Sequence, residues 1–546
     1  MKRFHQFVFV VAVLGSACAQ AKSATFDDCK NIDPSNGFFD CRLSPSGEQP
    51  KLYTSKMQLN KVFLSLPSCQ IVDSKLESLS EVSAVLSTSV KELGPDILIK
   101  KNMIPQEIAG NANSPAIDSA VVFKTRLMYS PLAKQYYYGF LSKKETVNGN
   151  FNRPTITFDA GLDRYNTYTK SKASGSKSSS TAYYNDLSTQ FKLEYDLLDL
   201  QNFFATQSLK EDAKASYQAF VGSAISDSLD SVLDYYRVKE SILSSSISEA
   251  QYIATRDQLD RLEILEDKGL QSVLDLSRAN ITEISQSVSF SSAKNQLSQS
   301  YATLLNDLNL NSLADAKTKF SNLVSSACWS KNPIDSLTAA LKNNTGIQQL
   351  KSDIKSSKLK GTSINASMFP ELTIGISYSP DNSWGNINGS GNINDYTISE
   401  SMDAYLSMSW DVFDFGQTMA NKVSQDKLSL SLANQLDEKI SEVETDLVNA
   451  FIQYISSTLN VVDLSDAARK AAENYTKSVK SYKRGFLNQT DVTGIFTQLT
   501  SVTQSLIGNL SDRNSAAVDI AKLVQEDGFD SINFRKALID LEKSMN

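Results

Sequence analysis

Two stretches of this chain follow one plan about 216 residues apart, and that duplication constrains its fold more than any single residue. Pro154 and Pro370 each open an alternating segment. Tyr195-Asp196-Leu197-Leu198-Asp199 closes a second such segment in the first copy, and Trp410-Asp411-Val412-Phe413-Asp414 does so in the second. A glycine then precedes an aspartate at the same interval, as Gly269 with Asp275 and as Gly485 with Asp491. These anchors, in one order, describe a strand–strand–helix–helix unit present twice.

Proline sets the helix lengths. None occurs between Pro154 and Pro333 or after Pro380, so nothing interrupts long helices expected at about 202–268 and 417–484, each on the order of 100 Å long. Return helices are expected at about 272–308 and 490–526. Leu436, Ile440, Val443 and Leu447 alternate steps of four and three, as do Val492, Ile495, Leu499, Val502 and Leu506. By itself that pattern also suits an ordinary helical bundle.

Four segments alternate with period two, at about 155–168, 182–199, 371–379 and 398–413. Ile156, Phe158, Ala160 and Leu162 oppose Thr155, Thr157 and Asp159, and Met402, Ala404, Leu406, Met408 and Trp410 oppose Asp403, Tyr405, Ser407 and Ser409. One apolar and one polar face suit a membrane barrel, and equally a half-buried soluble sheet. The Lys/Ser/Gly tract at 170–180 and the Gly/Asn-rich stretch at 381–395 read as exposed hairpin loops, which favours the barrel. Four strands cannot close a barrel, so a membrane reading requires several copies to share one.

The first 21 residues read as an export signal, with Lys2 and Arg3 before an apolar run and Ala19-Gln20-Ala21 as the cleavage site. Lipidation at Cys18 is the alternative. No later run of about 18 apolar residues offers a transmembrane helix. Residues 22–105 fit neither repeat and are expected to be irregular and disulfide-braced. Repeat 1 takes 106–325, repeat 2 takes 326–528, and 529–546 form a tail.

Cys29, Cys41, Cys69 and Cys328 remain after signal removal, at no metal-ligand spacing, so disulfides are expected. Three pairings are open; the most local one, Cys29 with Cys41, leaves Cys69 for Cys328. The only histidine, His5, lies in the signal. Histidine-dependent catalysis and histidine metal sites are thereby excluded from the mature chain, and no cofactor or enzymatic activity is expected. The net charge of −7 argues against nucleic acid as a partner.

Two motifs add a resemblance. Residues 402–417 (MDAYLSMSWDVFDFGQ) end in a phenylalanine–aspartate–x–glycine passage around Asp414 and Gly416. Its counterpart at Asp199 lacks the glycine, having Gln201. Tyr482-Lys483-Arg484-Gly485-Phe486-Leu487-Asn488-Gln489-Thr490-Asp491 matches a tyrosine–x–x–glycine–x5–aspartate turn; the first copy keeps Lys268, Gly269, Leu270 and Asp275 but has Glu266 for the tyrosine. Over about 106–528 the chain resembles the TolC-like outer membrane efflux protein family. The resemblance implies an α+β membrane protein: a homotrimer whose duplicated hairpins form a twelve-stranded outer-membrane β-barrel, continued by a periplasmic α-barrel of long antiparallel coiled-coil helices. It implies an export duct served by a periplasmic adaptor and an inner-membrane ABC or proton-driven transporter. Lys268, Gly269, Leu270, Arg484, Gly485 and Phe486 would form the adaptor-docking tip. Asp275, Asp491, Tyr482 and Lys483 would form the gate, with Asp491 as a lumenal ring. Asp199, Asp414 and Gly416 would make the strand–helix junctions. Leu487 and Gly494 replace a charged pair of the family pattern, leaving Lys483 or Arg484 to supply the missing cation. A periplasmic or surface coiled-coil protein without a channel is the competing reading.

Overall fold

The computed structural model describes residues 60–64, 66–76, 116–173, 176–309, 319–320, 326–387, 392–530 and 532–545. The signal, Cys18, Cys29 and Cys41 lie outside the described residues. In chain order the elements are β1 (Ala116–Ile117), α1 (Ser119–Tyr129), α2 (Pro131–Gly149), β2 (Thr155–Ala173), β3 (Ser176–Leu198), α3 (Leu200–Asp267), α4 (Val273–Asp307), β4 (Lys319–Phe320), α5 (Pro333–Asn343), α6 (Thr345–Ala366), β5 (Glu371–Asn386), β6 (Asp395–Ser409), α7 (Gln417–Lys483), α8 (Gln489–Val524) and α9 (Phe534–Met545).

The duplication reaches further upstream than the alternating segments suggest. Each strand pair is preceded by two short helices, and matching caps start them. Asp118 Oδ1 accepts from Val121 N at 2.7 Å, and Asn332 Oδ1 accepts from Asp335 N at 2.8 Å. At the second helix of each pair, Ser130 Oγ accepts from Ala133 N, and Asn344 Oδ1 from Gly346 N.

The chain divides into two compact units. The first holds Met1–Tyr136, Ala219–Gln348 and Glu438–Asn546. Its core interleaves Val461, Ala468, Ala472 and Tyr475 of α7 with Val492, Phe496, Leu499, Leu506 and Leu510 of α8. The alanines at 468 and 472 let the helices approach closely, and the heptad positions on α8 fall on the buried face. Residues 60–64 and 69–76, expected to be irregular, are helical and packed. Val72 and Leu76 enter the same core, Phe63 lies edge-on to Phe451 at 5.6 Å, and Lys75 meets Asp466 at 2.7 Å. A disulfide joins Cys69 to Cys328. Beside it Arg513 is fully buried, donating to Ala327 O at 2.7 Å, Thr458 Oγ1 at 3.1 Å and Tyr454 OH at 3.1 Å.

The second unit holds Tyr137–Gln218 and Gln349–Asp437. It contains a four-stranded antiparallel sheet of order β2-β3-β5-β6. The strands outrun the alternating sequence. β2 and β3 continue through most of the Lys/Ser/Gly tract, and β5 continues through 381–386, all read above as loop. The apolar period ends there, but backbone pairing does not. At the other end β6 stops at Ser409, short of 413, because the chain turns away: Trp410 Nε1 donates to Met368 O at 2.9 Å and Asp414 begins capping the next helix. A bulge at Leu197 shifts the β3–β5 register.

Register sorts the two faces of the sheet. One carries rows such as Ile156–Leu193–Ile376–Ala404 and Phe158–Phe191–Tyr378–Met402. These side chains are exposed, Ile156 at 78% and Met402 at 76%. From the row of Leu162, Leu187 and Ile398 to the row of Leu372 and Met408, the apolar band covers about 33 Å of strand, or about 25 Å in height at a tilt of about 40°. Trp384 and Tyr396 pair just beyond it.

Candidate functional site

In the first unit both long helices end in the same six-residue hydrogen-bond pattern. Gly269 N donates to Glu266 O at 2.7 Å and Leu270 N to Leu265 O at 2.8 Å; Gly485 N donates to Tyr482 O at 2.9 Å and Phe486 N to Ser481 O at 3.0 Å. These are Schellman closures, which need a left-handed residue at the reversal. Gly269 (φ 69°) and Gly485 (φ 78°) supply it. The residue after each glycine is thrown outward, leaving Leu270 69% and Phe486 77% exposed. Lys268 and Arg484 beside them are also exposed.

The return helices start alike and then diverge. Ser272 caps α4, its hydroxyl accepting from Leu274 N, and Asn488 caps α8, accepting from Asp491 N at 2.8 Å. Asp275 and Asp491 are thus both third residues of their helices, where the N-terminal dipole favours a carboxylate. Asp491 closes a capping box back to Asn488 N and is exposed. Asp275 instead accepts from Gln271 Nε2 at 2.8 Å and lies 3.7 Å from Arg278.

The two reversals border one cleft of about 550 Å³, lined by Arg261, Gln271, Asp275, Tyr482, Lys483 and Leu487 among others. Of the two cations considered for the missing charge, Lys483 lines the cleft and Arg484 does not. Arg261, which the sequence reading missed, is the second cation there. Its sequence signal is local: it follows Asp257 by one helical turn, and the two pair at 3.0 Å. Burial, then the charge of Asp275, raises the Tyr482 phenol above its usual range, with Arg261 opposing. Tyr482 is therefore neutral at physiological pH. Burial likewise raises Asp257, against Arg261 and Lys483.

In the second unit, Asp199 and Asp414 start the long helices. Asp199 Oδ1 accepts from Asn202 N at 2.7 Å; Asp414 accepts from Gly416 N at 3.0 Å and Thr418 N at 2.6 Å. Those bonds hold the Asp414 carboxyl below its usual range. The second junction is longer, passing through Phe415 (φ 54°) and Gly416 (φ 86°), both left-handed. The first goes straight from Asp199 into α3, which explains why Gln201 stands where the second copy has a glycine.

The polar face of the sheet is acidic. Asp159 and Asp163 lie on it from β2, Asp186, Glu194 and Asp196 from β3, Glu371 and Asp381 from β5, and Asp395 and Asp403 from β6. Lys192 is the one cation on this face among the described residues, paired to Glu194 at 2.6 Å. Tyr405 reaches across Gly375, where a Cβ would meet its ring at 2.5 Å, to donate to Glu194 at 2.6 Å. Asp196, Asp199 and Glu371 approach within 4.8 Å of one another, with Asp196 and Asp199 already accepting from Thr373 and Asn202.

No protein-family model matches the chain, and no curated protein matches it. Solved structures do. The CmeC outer membrane channel of Campylobacter jejuni is similar with a TM-score of 0.64 at 13% identity, over 81% of this chain and 96% of that one. CusC, described in terms of transmembrane channel formation, gives 0.62 at 12%, over 75% and 92%. The outer membrane protein VceC of Vibrio cholerae gives 0.60 at 12%, over 74% and 95%. No helix among the described residues is long and apolar enough to cross a membrane. The chain has the fold of the TolC-like outer membrane channels.

Proposed function

We propose that this chain is one subunit of an outer-membrane export duct, with a large periplasmic part, and not an enzyme. The observation that supports this most is the sheet: an exposed apolar band about 25 Å high, with outer edges on β2 and β6 that no other described strand pairs. Open edges are not tolerated in lipid, so neighbouring copies must supply the missing partners. An edge β6 meets the next copy's β2 antiparallel, so closure preserves the alternation. Three copies give twelve strands, enough for a water-filled bore.

The acidic polar face would then line the bore and favour cations. At the helix turns, the exposed Leu270 and Phe486, with Lys268 and Arg484, offer an apolar and basic surface to a periplasmic adaptor. Asp275, Tyr482, Lys483 and Arg261 would hold the closed arrangement of the turns, and Asp491 would contribute carboxylates to the passage. Adaptor docking would shift the turns toward an open state, and energy would come from an inner-membrane ABC or proton-driven transporter. A soluble coiled-coil spacer would have to leave the apolar band bare to water, which monomeric proteins rarely do.

Planar-bilayer recording of the purified protein tests this reading. The duct predicts stepwise, cation-preferring conductance from a detergent-dependent oligomer. A protein that is soluble without detergent and silent in bilayers would refute it.

A further inference from the structure

Phe415 combines two costs that the fold alone does not explain. Its ring is 91% exposed, more than any other large apolar side chain among the described residues. Its backbone is left-handed (φ 54°), a region that disfavours bulky residues. The other non-glycine residues held there among the described residues, Asn309, Gln525 and Asp530, are polar. Phe413 meets Phe415 edge-on at 4.8 Å and is itself 74% exposed, while Asp414 between them is taken up by the cap of α7. Val412 and Trp410, just before them, are more than half exposed, as is Phe369, next to the Met368 whose carbonyl holds the Trp410 indole. The first copy serves as a control. Asp199 matches Asp414, which sets Leu198 and Leu200 against Phe413 and Phe415. There the helix starts at Leu200 with no left-handed residue. A strand can therefore pass into a long helix of this fold without exposing aromatic rings.

The exposed rings continue the apolar band. β6 alternates through Leu406 and Met408 on the apolar face, and Trp410 follows Met408, in the last row of the band, by two residues or about 7 Å. The polar layer of a bilayer leaflet extends about 5–7 Å beyond its hydrocarbon, so the passage leaves the strand at the boundary of acyl chain and headgroup. Aromatic rings are stabilised in that layer. We propose that the β6–α7 passage is a lipid-inserting loop, an inference that rests on the barrel reading. Phe413 and Phe415, with Trp410, enter the phospholipid leaflet on the helical side of the barrel. Removing the Phe415 ring from water there offsets the strain of its backbone. Each copy carries one such loop, so the barrel is held at a fixed depth from several points around its wall.

The test uses the full-length protein in nanodiscs of phosphatidylethanolamine and phosphatidylglycerol carrying bromine atoms either near the headgroup or near the chain end. The tryptophans are Trp329, Trp384 and Trp410. A Phe415→Trp reporter combined with Trp384→Phe and Trp410→Phe leaves Trp329, 2% exposed, as a constant background. The expected result is fluorescence quenching by both lipids, roughly twofold stronger with the shallow bromines. Quenching by aqueous acrylamide but not by brominated lipid overturns the proposal, because the ring then faces water. Quenching by neither overturns it as well and marks a contact between copies. So does stronger quenching by the deep bromines, which places the ring in hydrocarbon rather than at the boundary. Phe415→Asn in the otherwise unchanged protein is the second variant, since asparagine accepts a left-handed backbone. Its melting temperature in detergent should equal that of the parent, and a clear drop would show that the ring packs within the protein. The Trp410→Phe variant reads the barrel separately through Trp384, which lies just beyond the other end of the band. A Trp384 that no brominated lipid quenches would sink the barrel reading itself.

Discussion

Neutralising the acidic face of the sheet should weaken ion selection by an amount that follows from its charge. Nine carboxylates and Lys192 leave a net of eight negative charges on that face per copy, hence about 24 in the proposed trimer. Twelve strands about 4.8 Å apart, tilted by about 40°, enclose a wall of about 12 Å radius. Spread over about 40 Å of height, the charges amount to a fixed concentration on the order of 2 M. In about 1 M salt the bore then holds roughly six cations per anion, and the Debye length of about 3 Å leaves the centre partly screened. Changing Asp159, Asp163, Asp186 and Asp403 to Asn removes half of the charge, and the ratio falls to roughly three. The fold should tolerate this, since Asp163 and Asp186 sit directly opposite each other and gain from losing their repulsion. The assay is the reversal potential of single channels under a salt gradient near 1 M. An unchanged reversal potential in the fourfold variant would refute the reasoning, because the wall charge would not then be in the conduction path.

Asp491→Asn removes three charges from the trimer and should lower the cation preference while leaving the part due to the barrel wall; reversal potentials of the two variants, alone and combined, separate the contributions. Cys69→Ser opens a crosslink spanning 259 residues. It should cost up to about 5 kcal/mol, seen as a lower melting temperature and a smaller response to dithiothreitol than in the parent protein. Lys239 is buried over the rings of Tyr235 and Tyr236, and burial lowers its pKa from 10.5 to about 8, against the charge of Asp530. The unfolded chain therefore binds more protons between those values, so stability rises as pH climbs through 8 toward 10.5. Lys239→Met should flatten that rise, by about 3 kcal/mol at most, in melting curves taken from pH 7 to 10.

Much of this architecture could be read before any coordinates. Absence of proline showed where long helices run, and two glycines before two aspartates marked where they reverse. Both signals work because they are properties of the local backbone. The short helices α1, α2, α5 and α6 were not visible, since their starts depend on single caps such as Asp118 and Asn332 in otherwise unremarkable sequence. The strand ends were misplaced because hydrophobic alternation reports contact with an apolar medium, whereas strands end where pairing ends. Lys170 and Ser179 pair like any strand residues, with nothing apolar to announce it. At the tip, Asp275 and Tyr482 do border one cleft, but Arg261 went unnoticed. It approaches from an earlier turn of α3, and only folding brings it opposite Lys483. Asp491 closes a capping box with Asn488, a role its spacing from that residue already allowed.

The central claim is that several copies complete one barrel through the free edges of β2 and β6. Native mass spectrometry of the detergent-extracted protein, with detergent stripped in the gas phase, measures this directly. Three chains per particle, resistant to dilution, is the predicted result. A monomer, or any particle that stays in solution without detergent, would contradict it.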